Sequence, residues 1–72
     1  MATWRRRGYI IREYAHDHPP RHVHAFKDAR ELDRFDLEHW QFMDGTIGTH
    51  RGRVMRVLEQ LAYDGAFDPE EA

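Results

Sequence analysis

Two adjacent prolines, Pro19 and Pro20, separate two segments of this chain that have the composition of β-strands. Residues 9–15 before them are rich in β-branched and aromatic side chains, and residues 22–27 follow as a second extended segment. Proline lacks a backbone N–H and is excluded from central strands, so residues 16–21 are predicted to form a corner between two strands. The chain is therefore expected to fold around a small sheet.

Two more strand signals follow. Residues 27–30 are predicted to turn, because the side chain of Asp28 can bond to the backbone nearby. Polar and apolar residues alternate over residues 31–37, which predicts a third strand. Residues 40–43 indicate a short fourth strand or an extended edge.

The last third of the chain has the spacing of an amphipathic helix. Apolar residues recur at i, i+3, i+4 and i+7, namely Val54, Val57, Leu58 and Leu61. With Gly65 as the residue after the helix, the pattern predicts a helix over about residues 50–64 that covers one face of the sheet. The predicted fold class is α+β: a small antiparallel sheet of three to four strands covered by one C-terminal helix, in the order β-β-β-α.

With 72 residues, the chain has room for one domain. We expect a basic N-terminal arm over residues 1–7, a single α+β domain over residues 8–66 and an acidic tail over residues 67–72. The sequence contains no cysteine, which excludes disulfides and thiolate metal sites. Small domains without such staples are often stabilised by a metal or by association, so we expect a small cognate protein partner or self-association.

Charge is divided unevenly along the chain. Residues 1–27 carry six Lys/Arg and two Asp/Glu, a net charge of +4, whereas residues 28–72 carry five and eleven, a net charge of −6. The acidic series that begins at Glu31 is predicted to be a solvated edge or a surface for a basic partner. No apolar stretch is long enough for a membrane span or a secretory signal, so we expect a cytoplasmic protein that binds no membrane.

The corner and the strand after it hold the densest group of reactive side chains. Asp17, His18, His22 and His24 lie within eight positions. Side chains alternate between the faces of a strand, so His22 and His24 are predicted to point the same way, about 6.6 Å apart along the backbone. His18 and Asp17 precede the prolines and can fold back towards this pair.

Three interpretations of this group remain open. The imidazoles of His22 and His24 can bind a divalent transition metal such as zinc, with His18 or Asp17 as the third ligand. Alternatively, His22 and His24, together with His18 and Asp17, can form a catalytic site that supplies a general acid and base without a metal. In the third interpretation the histidines are structural and bond to the backbone.

Two arginines, Arg12 and Arg21, flank the histidine group in sequence. Together with the positive charge of the first third of the chain, they are candidates for binding an anionic substrate such as the phosphodiester backbone of RNA. The sequence has no glycine-rich phosphate loop and no serine or cysteine nucleophile, which excludes those classes of enzyme. Whether the chain is an enzyme stays open.

From Gly8-Tyr9-Ile10-Ile11-Arg12 through Asp17-His18 to His22-Val23-His24, the chain resembles a widespread family of small bacterial proteins. Its members carry Gly-hydrophobic-hydrophobic-Ile-Arg, then Asp-His, a Pro-Pro pair and His-x-His, followed by strands and a C-terminal helix. The resemblance spans roughly residues 8–64. It matches Asp17, His18, His22 and His24 to the motif, whereas the Pro-Pro pair lies one position earlier than in the family pattern and Arg21 follows it.

The resemblance implies an α+β domain and no established reaction. Members are often encoded beside another small protein, in an arrangement similar to a toxin–antitoxin pair. We therefore expect one component of a bacterial two-protein module with a histidine-rich site. If this site is catalytic, its expected substrate is RNA. The alternative is a non-enzymatic protein–protein interaction module in which the histidines are structural.

Overall fold

The computed structural model describes residues 1–69, and within them a five-stranded antiparallel sheet precedes one α-helix. The elements are β1 (Ala2–Arg6), β2 (Tyr9–Glu13), β3 (His22–Lys27), β4 (Arg30–Asp36), β5 (Gln41–Phe42), a 3₁₀ turn (Gly48–His50) and α1 (Arg51–Tyr63). Neighbours in the sheet are also neighbours in the chain. The predicted α+β class is confirmed, but the sheet has five strands and not three to four.

The strand that the sequence pattern did not predict is β1, which lies in the segment expected to be a basic arm. All of β1 pairs with β2, and Trp4 lies opposite Ile11. The indole of Trp4 packs edge-on against the ring of Phe67, with centroids 5.3 Å apart. Partial burial of this large ring against the far end of the described chain holds the segment on the sheet, and no local pattern reveals so distant a contact.

Two tight hairpins place β3 at the centre of the sheet. Residues 7–8 link β1 to β2, residues 28–29 link β3 to β4, and all four have positive φ. This conformation matches the right-handed twist of the flanking strands, which is why two-residue hairpins favour it. The second hairpin is the turn predicted at residues 27–30, and it sets the pairing of β3 with β4.

The core lies between the sheet and α1. Val23, Ala25 and Phe35 have no exposed surface on the sheet side. The helix contributes the four apolar side chains that the sequence pattern predicts, and all are fully buried: Val54, Val57, Leu58 and Leu61. Each end of α1 lies within one residue of its predicted bound, and Gly65 follows with a φ of 85°.

Two carboxylates of the acidic series are buried, which corrects the expectation of a solvated edge. Asp33 is 1 % exposed and Asp36 is 4 % exposed. The carboxylate of Asp33 accepts hydrogen bonds from four backbone N–H groups, those of Arg34, Asp44, Thr46 and Ile47. It thereby supplies hydrogen-bond acceptors for backbone amides of the loop after β5. In a sheet or a helix, backbone carbonyls would provide these acceptors.

The face of the sheet turned away from α1, which we call the outer face, collects most of the polar side chains of the strands. Directly paired residues of antiparallel strands lie on the same face, so the strand pairing defines its members. They are Thr3 and Arg5 of β1, Ile10 and Arg12 of β2, His22, His24 and Phe26 of β3, Glu31, Arg34 and Asp36 of β4, and Gln41 of β5.

The end of the chain contributes to the packing beyond the predicted domain. Phe67, the first residue of the segment predicted to be an acidic tail, contacts Trp4 and the core. Residues 70–72 of that segment lie outside the described residues. In the described part of the chain, no helix is long and apolar enough to cross a membrane.

Truncation of Leu58 tests whether this face of α1 holds the fold. We expect Leu58→Ala to lower the free energy of unfolding by about 2–5 kcal/mol, because it removes buried methyl groups and leaves a cavity. Gln60→Ala on the exposed side of the helix is the matched control and should change the free energy by less than about 0.5 kcal/mol. Urea denaturation measures both, and an unchanged midpoint for Leu58→Ala would contradict the packing.

Candidate metal centre

β3 turns two imidazoles towards the outer face. Val23 and Ala25 point into the core, so their neighbours His22 and His24 point the other way. The ring centroids of the two histidines lie 5.1 Å apart. Their side chains are 5 % and 14 % exposed, so little water surrounds the pair.

The corner between β2 and β3 brings a carboxylate to the same place. Asp17 Oδ2 lies 2.8 Å from His24 Nε2 and 3.2 Å from His22 Nε2. One ligand atom from each of the three residues can be chosen so that all lie within 4.8 Å of one another. The corner therefore folds Asp17 back onto the histidine pair.

The second nitrogen of each ring is held by an acceptor. His22 Nδ1 lies 2.8 Å from the carbonyl oxygen of Pro20, and because a carbonyl can only accept, Nδ1 donates the proton. His24 Nδ1 lies 2.5 Å from Glu31 Oε1. These two acceptors fix both rings with Nε2 directed at Asp17. Proteins commonly orient metal-binding histidines in this way.

The three side chains are already in contact with one another through Asp17. Both nitrogens of His24 face carboxylates, Glu31 on one side and Asp17 on the other, and both can donate at once only in the imidazolium form. The hydrogen bond from His24 holds the pKa of Asp17 below its ordinary value; burial opposes this effect, and the charges of His24, His22 and His18 add to it. Asp17 is therefore an anion at neutral pH.

His18 lies beside this group without joining it. It is exposed and lines an open cleft of about 250 Å³ together with Asp17, His22 and Glu38. Of the two candidates for the third position, the structure brings Asp17 next to the histidine pair. The physical reason is hydrogen bonding, because the carboxylate of Asp17 accepts a bond from His24 Nε2.

Arg21, one of the two arginines expected to bind substrate, holds the corner in place. Its guanidinium donates to both carboxylate oxygens of Glu13, at 2.6 and 3.0 Å, and to the carbonyl oxygen of Phe67 at 2.7 Å. Its backbone N–H donates to Glu38 at 2.6 Å. These bonds tie the start of β3 to β2 and to the end of the described chain. A role of Arg21 in substrate binding stays a prediction.

Two further arginines flank His24 on the neighbouring strands. Arg12 of β2 and Arg34 of β4 are its direct partners in the sheet. Arg34 donates to both carboxylate oxygens of Asp44, at 2.9 and 2.6 Å, so its charge is balanced. Arg12 instead lies over the ring of Phe26, with its guanidinium carbon 5.6 Å from the ring centroid.

Asp36, the direct partner of His22 in the sheet, holds the loop that follows β4. It accepts bonds from the backbone N–H of Glu38 at 2.8 Å, and from the backbone N–H and the ring Nδ1 of His39 at 3.0 and 2.8 Å. Burial opposes ionisation of Asp36, but these bonds outweigh it and hold its pKa below the ordinary value. The loop is thereby fixed where Glu38 borders the cleft.

The sequence motif did not indicate two side chains of the site, Glu31 and Tyr14. Glu31 lies opposite Phe26 in the sheet, which makes it a diagonal neighbour of His24. If the residue pairs of β3 and β4 are counted outward from the turn at residues 28–29, Glu31 falls in the second pair, opposite Phe26. Its place on the outer face could therefore have been predicted. Tyr14 packs edge-on against His24, with ring centroids 4.8 Å apart, and its position just after β2 gave no signal.

Comparison of the chain with protein-family models, with curated proteins and with solved structures found no match. The interpretation of the site therefore depends on its own geometry.

The ion pair beside the site should make stability depend on pH. The bonds from Arg34 hold the pKa of Asp44 below its ordinary value of 3.8. A carboxyl group with a lowered folded pKa stabilises the fold above the unfolded value, and this stabilisation is lost as the pH falls through the folded pKa. We expect Asp44→Asn to reduce the difference between urea midpoints measured at about pH 6 and about pH 3. An equal difference in both proteins would contradict the lowered pKa.

Proposed function

We propose that the chain binds a divalent transition metal ion, such as zinc, through Nε2 of His22, Nε2 of His24 and the carboxylate of Asp17. The observation that carries the proposal is the convergence of three ligand atoms within 4.8 Å of one another. The acceptors behind the two rings support it, since a carboxylate or a backbone carbonyl at the far nitrogen is the usual partner of a metal-binding histidine.

The ligand types favour a transition metal over calcium or magnesium. Imidazole nitrogen suits zinc, copper, nickel and iron, whereas calcium and magnesium prefer oxygen ligands. Two histidines and one carboxylate also leave coordination positions open, which is typical of catalytic rather than structural sites. Asp17 and His22 both line the cleft, so the open side of the proposed site adjoins it, with His18 as the candidate fourth ligand.

A metal ion and protons would compete for the same nitrogens. A histidine nitrogen binds a metal only after it has lost its proton, so metal binding releases protons and tightens as the pH rises. The contacts of His24 and His22 with Asp17 would give way to coordination. The bonds from the far nitrogens to Glu31 and to the carbonyl of Pro20 would remain.

We further propose that the metal-loaded site acts on RNA, as one component of a bacterial two-protein, toxin–antitoxin-like module. A bound ion supplies Lewis-acid chemistry next to the cleft, which suits a phosphodiester substrate. The net charge of +4 on residues 1–27 supports an anionic substrate. The sequence resemblance supports the two-protein module, whose second member would be a small cognate protein.

A non-enzymatic interaction module is the second candidate, and one observation favours it. Three of the four ring nitrogens of His22 and His24 are hydrogen-bonded within the chain, and the fourth, His22 Nε2, lies 3.2 Å from Asp17 Oδ2. A network of this kind needs no ligand, and its sole role can be to hold the corner against β3. Metal binding and RNA turnover distinguish the two candidates.

Titration with zinc tests the metal site. Calorimetry of the protein with zinc should show one ion per chain and release of protons, and His22→Ala, His24→Ala or Asp17→Ala should each weaken the affinity by at least about tenfold. His16→Ala removes an exposed histidine from the same corner and is the control that should leave the affinity unchanged. A wild-type protein that takes up no zinc would rule out the metal site.

Incubation with RNA tests the proposed reaction. We expect cleavage by the zinc-loaded protein that is abolished by a chelator, and by His22→Ala or His24→Ala in folded protein. Cleavage that persists in the presence of the chelator but is lost in both variants would indicate acid–base catalysis by the histidines without a metal. Absence of both binding and cleavage would leave the interaction module as the function.

A further inference from the structure

We propose a second binding site on the outer face, at which Arg12 and Arg5 hold phosphate groups of single-stranded RNA beside the metal centre. This inference rests on the proposed action on RNA and names the surface that would position it. The site lies on β1 and β2, outside the cleft that Asp17, His18 and His22 line.

The charge of Arg12 is not balanced by any carboxylate in the described part of the chain. The ring of Phe26 faces its guanidinium, and the Nε atom is buried without a hydrogen-bond partner among residues 1–69. Burying a charged N–H without an acceptor is costly, and each such group in a folded protein calls for an explanation. An anionic ligand on the remaining N–H groups of the guanidinium would balance this charge.

Other arginines near Arg12 are engaged with carboxylates. Arg34 is bonded to Asp44 through two nitrogens, and Arg21 is bonded to Glu13 in the same way. Bidentate pairing of this kind occupies the geometry that an arginine would use for phosphate. The guanidinium of Arg12 has no such carboxylate partner among residues 1–69, so it can still bind a phosphate group.

Arg5 extends the positive surface across the next strand. Arg12 is paired with Thr3, and Arg5 lies two residues further along β1, so the two arginines are diagonal neighbours on the outer face. Diagonal neighbours have Cβ atoms about 7–8 Å apart, within reach of long side chains. Arg5 is exposed, and within the described residues it forms no ion pair.

A concave surface adjoins Arg5 and gives an extended ligand room to continue. It is a cavity of about 370 Å³ at the turn between β1 and β2, lined by Arg5, Arg6 and Arg7, with Ile10 as an apolar wall and Asp28 as the acidic residue. Arg6 is paired with Asp64 at 3.8 Å. The other two arginines against one aspartate favour an anionic occupant.

His24 connects this surface to the metal centre. Arg12 is its direct partner on β2, and direct partners have Cβ atoms about 4.5–5.5 Å apart. Two carboxylates adjoin this path, and both are bonded to His24, Glu31 at Nδ1 and Asp17 at Nε2. A strand of RNA held at Arg5 and Arg12 would therefore run across His24 towards the cleft.

The outer face suits a single strand better than a duplex. Sheets that bind single-stranded RNA combine cations for the backbone with an aromatic ring for a base. Phe26 lies between Ile10 and Glu31 in the sheet and is half-buried on the same face as the two arginines. Because the Arg12 guanidinium already lies over this ring, the arrangement offers mainly phosphate contacts and reads no particular sequence.

Fluorescence anisotropy with labelled oligouridine tests the site. We expect Arg12→Gln and Arg5→Gln to weaken binding, Arg12→Gln by about tenfold, because an arginine–phosphate bond is charge-assisted. Each should also lower the slope of log affinity against log salt by about 0.7. Arg53→Gln removes the same charge from the exposed side of α1 and is the control that should change binding less than about twofold.

The outcomes separate this site from the metal centre. Loss of RNA binding in Arg12→Gln but not in Arg53→Gln supports the site whether or not the protein takes up zinc. Equal effects of the two substitutions, or no effect of Arg12→Gln, would overturn it even if zinc binds. Arg5→Gln alters an exposed side chain only, so it gives a reading if Arg12→Gln fails to fold, and an unchanged affinity and salt slope would then count against the site.

Discussion

The alternation of side chains along β3 is the constraint on which both the core and the site depend. Val23 and Ala25 fill the space beneath α1, and this burial commits His22 and His24 to the outer face. A shift of one residue in the pairing would exchange the two sets and place imidazoles in the core. The hydrophobic core therefore fixes the histidine pair as firmly as it fixes the sheet.

Carboxylates then decide what the histidine pair can do. Asp17 approaches both Nε2 atoms from the corner, and Glu31 holds the far nitrogen of His24 from β4. The same arrangement binds protons in one state and offers nitrogen and oxygen ligands to a cation in the other. Arg21 supports it at a distance, because its bonds to Glu13 keep the corner folded over the strand.

Local sequence patterns predicted the elements in which buried residues recur at the regular spacing of a strand or a helix. They gave β3 with its correct bounds and α1 to within one residue at each end. They missed β1, because Trp4 packs against Phe67 from the opposite end of the described chain. Within the site, alternation placed the two histidines together, whereas the choice of Asp17 over His18 depends on how a corner of the chain turns in space. Glu31 as a partner of His24 depends on cross-strand pairing, which no local pattern contains.

An X-ray absorption spectrum of the zinc-loaded protein is the decisive measurement for the metal centre, because it reports the atoms bound to the ion. We expect two imidazole nitrogens at about 2.0–2.1 Å together with oxygen ligands, and loss of one imidazole in His22→Ala or His24→Ala. The variant His39→Ala should leave the spectrum unchanged, since His39 is bonded to Asp36 outside the group. A spectrum with no imidazole, or one that is insensitive to both β3 histidines, would show that Asp17, His22 and His24 do not form the metal centre.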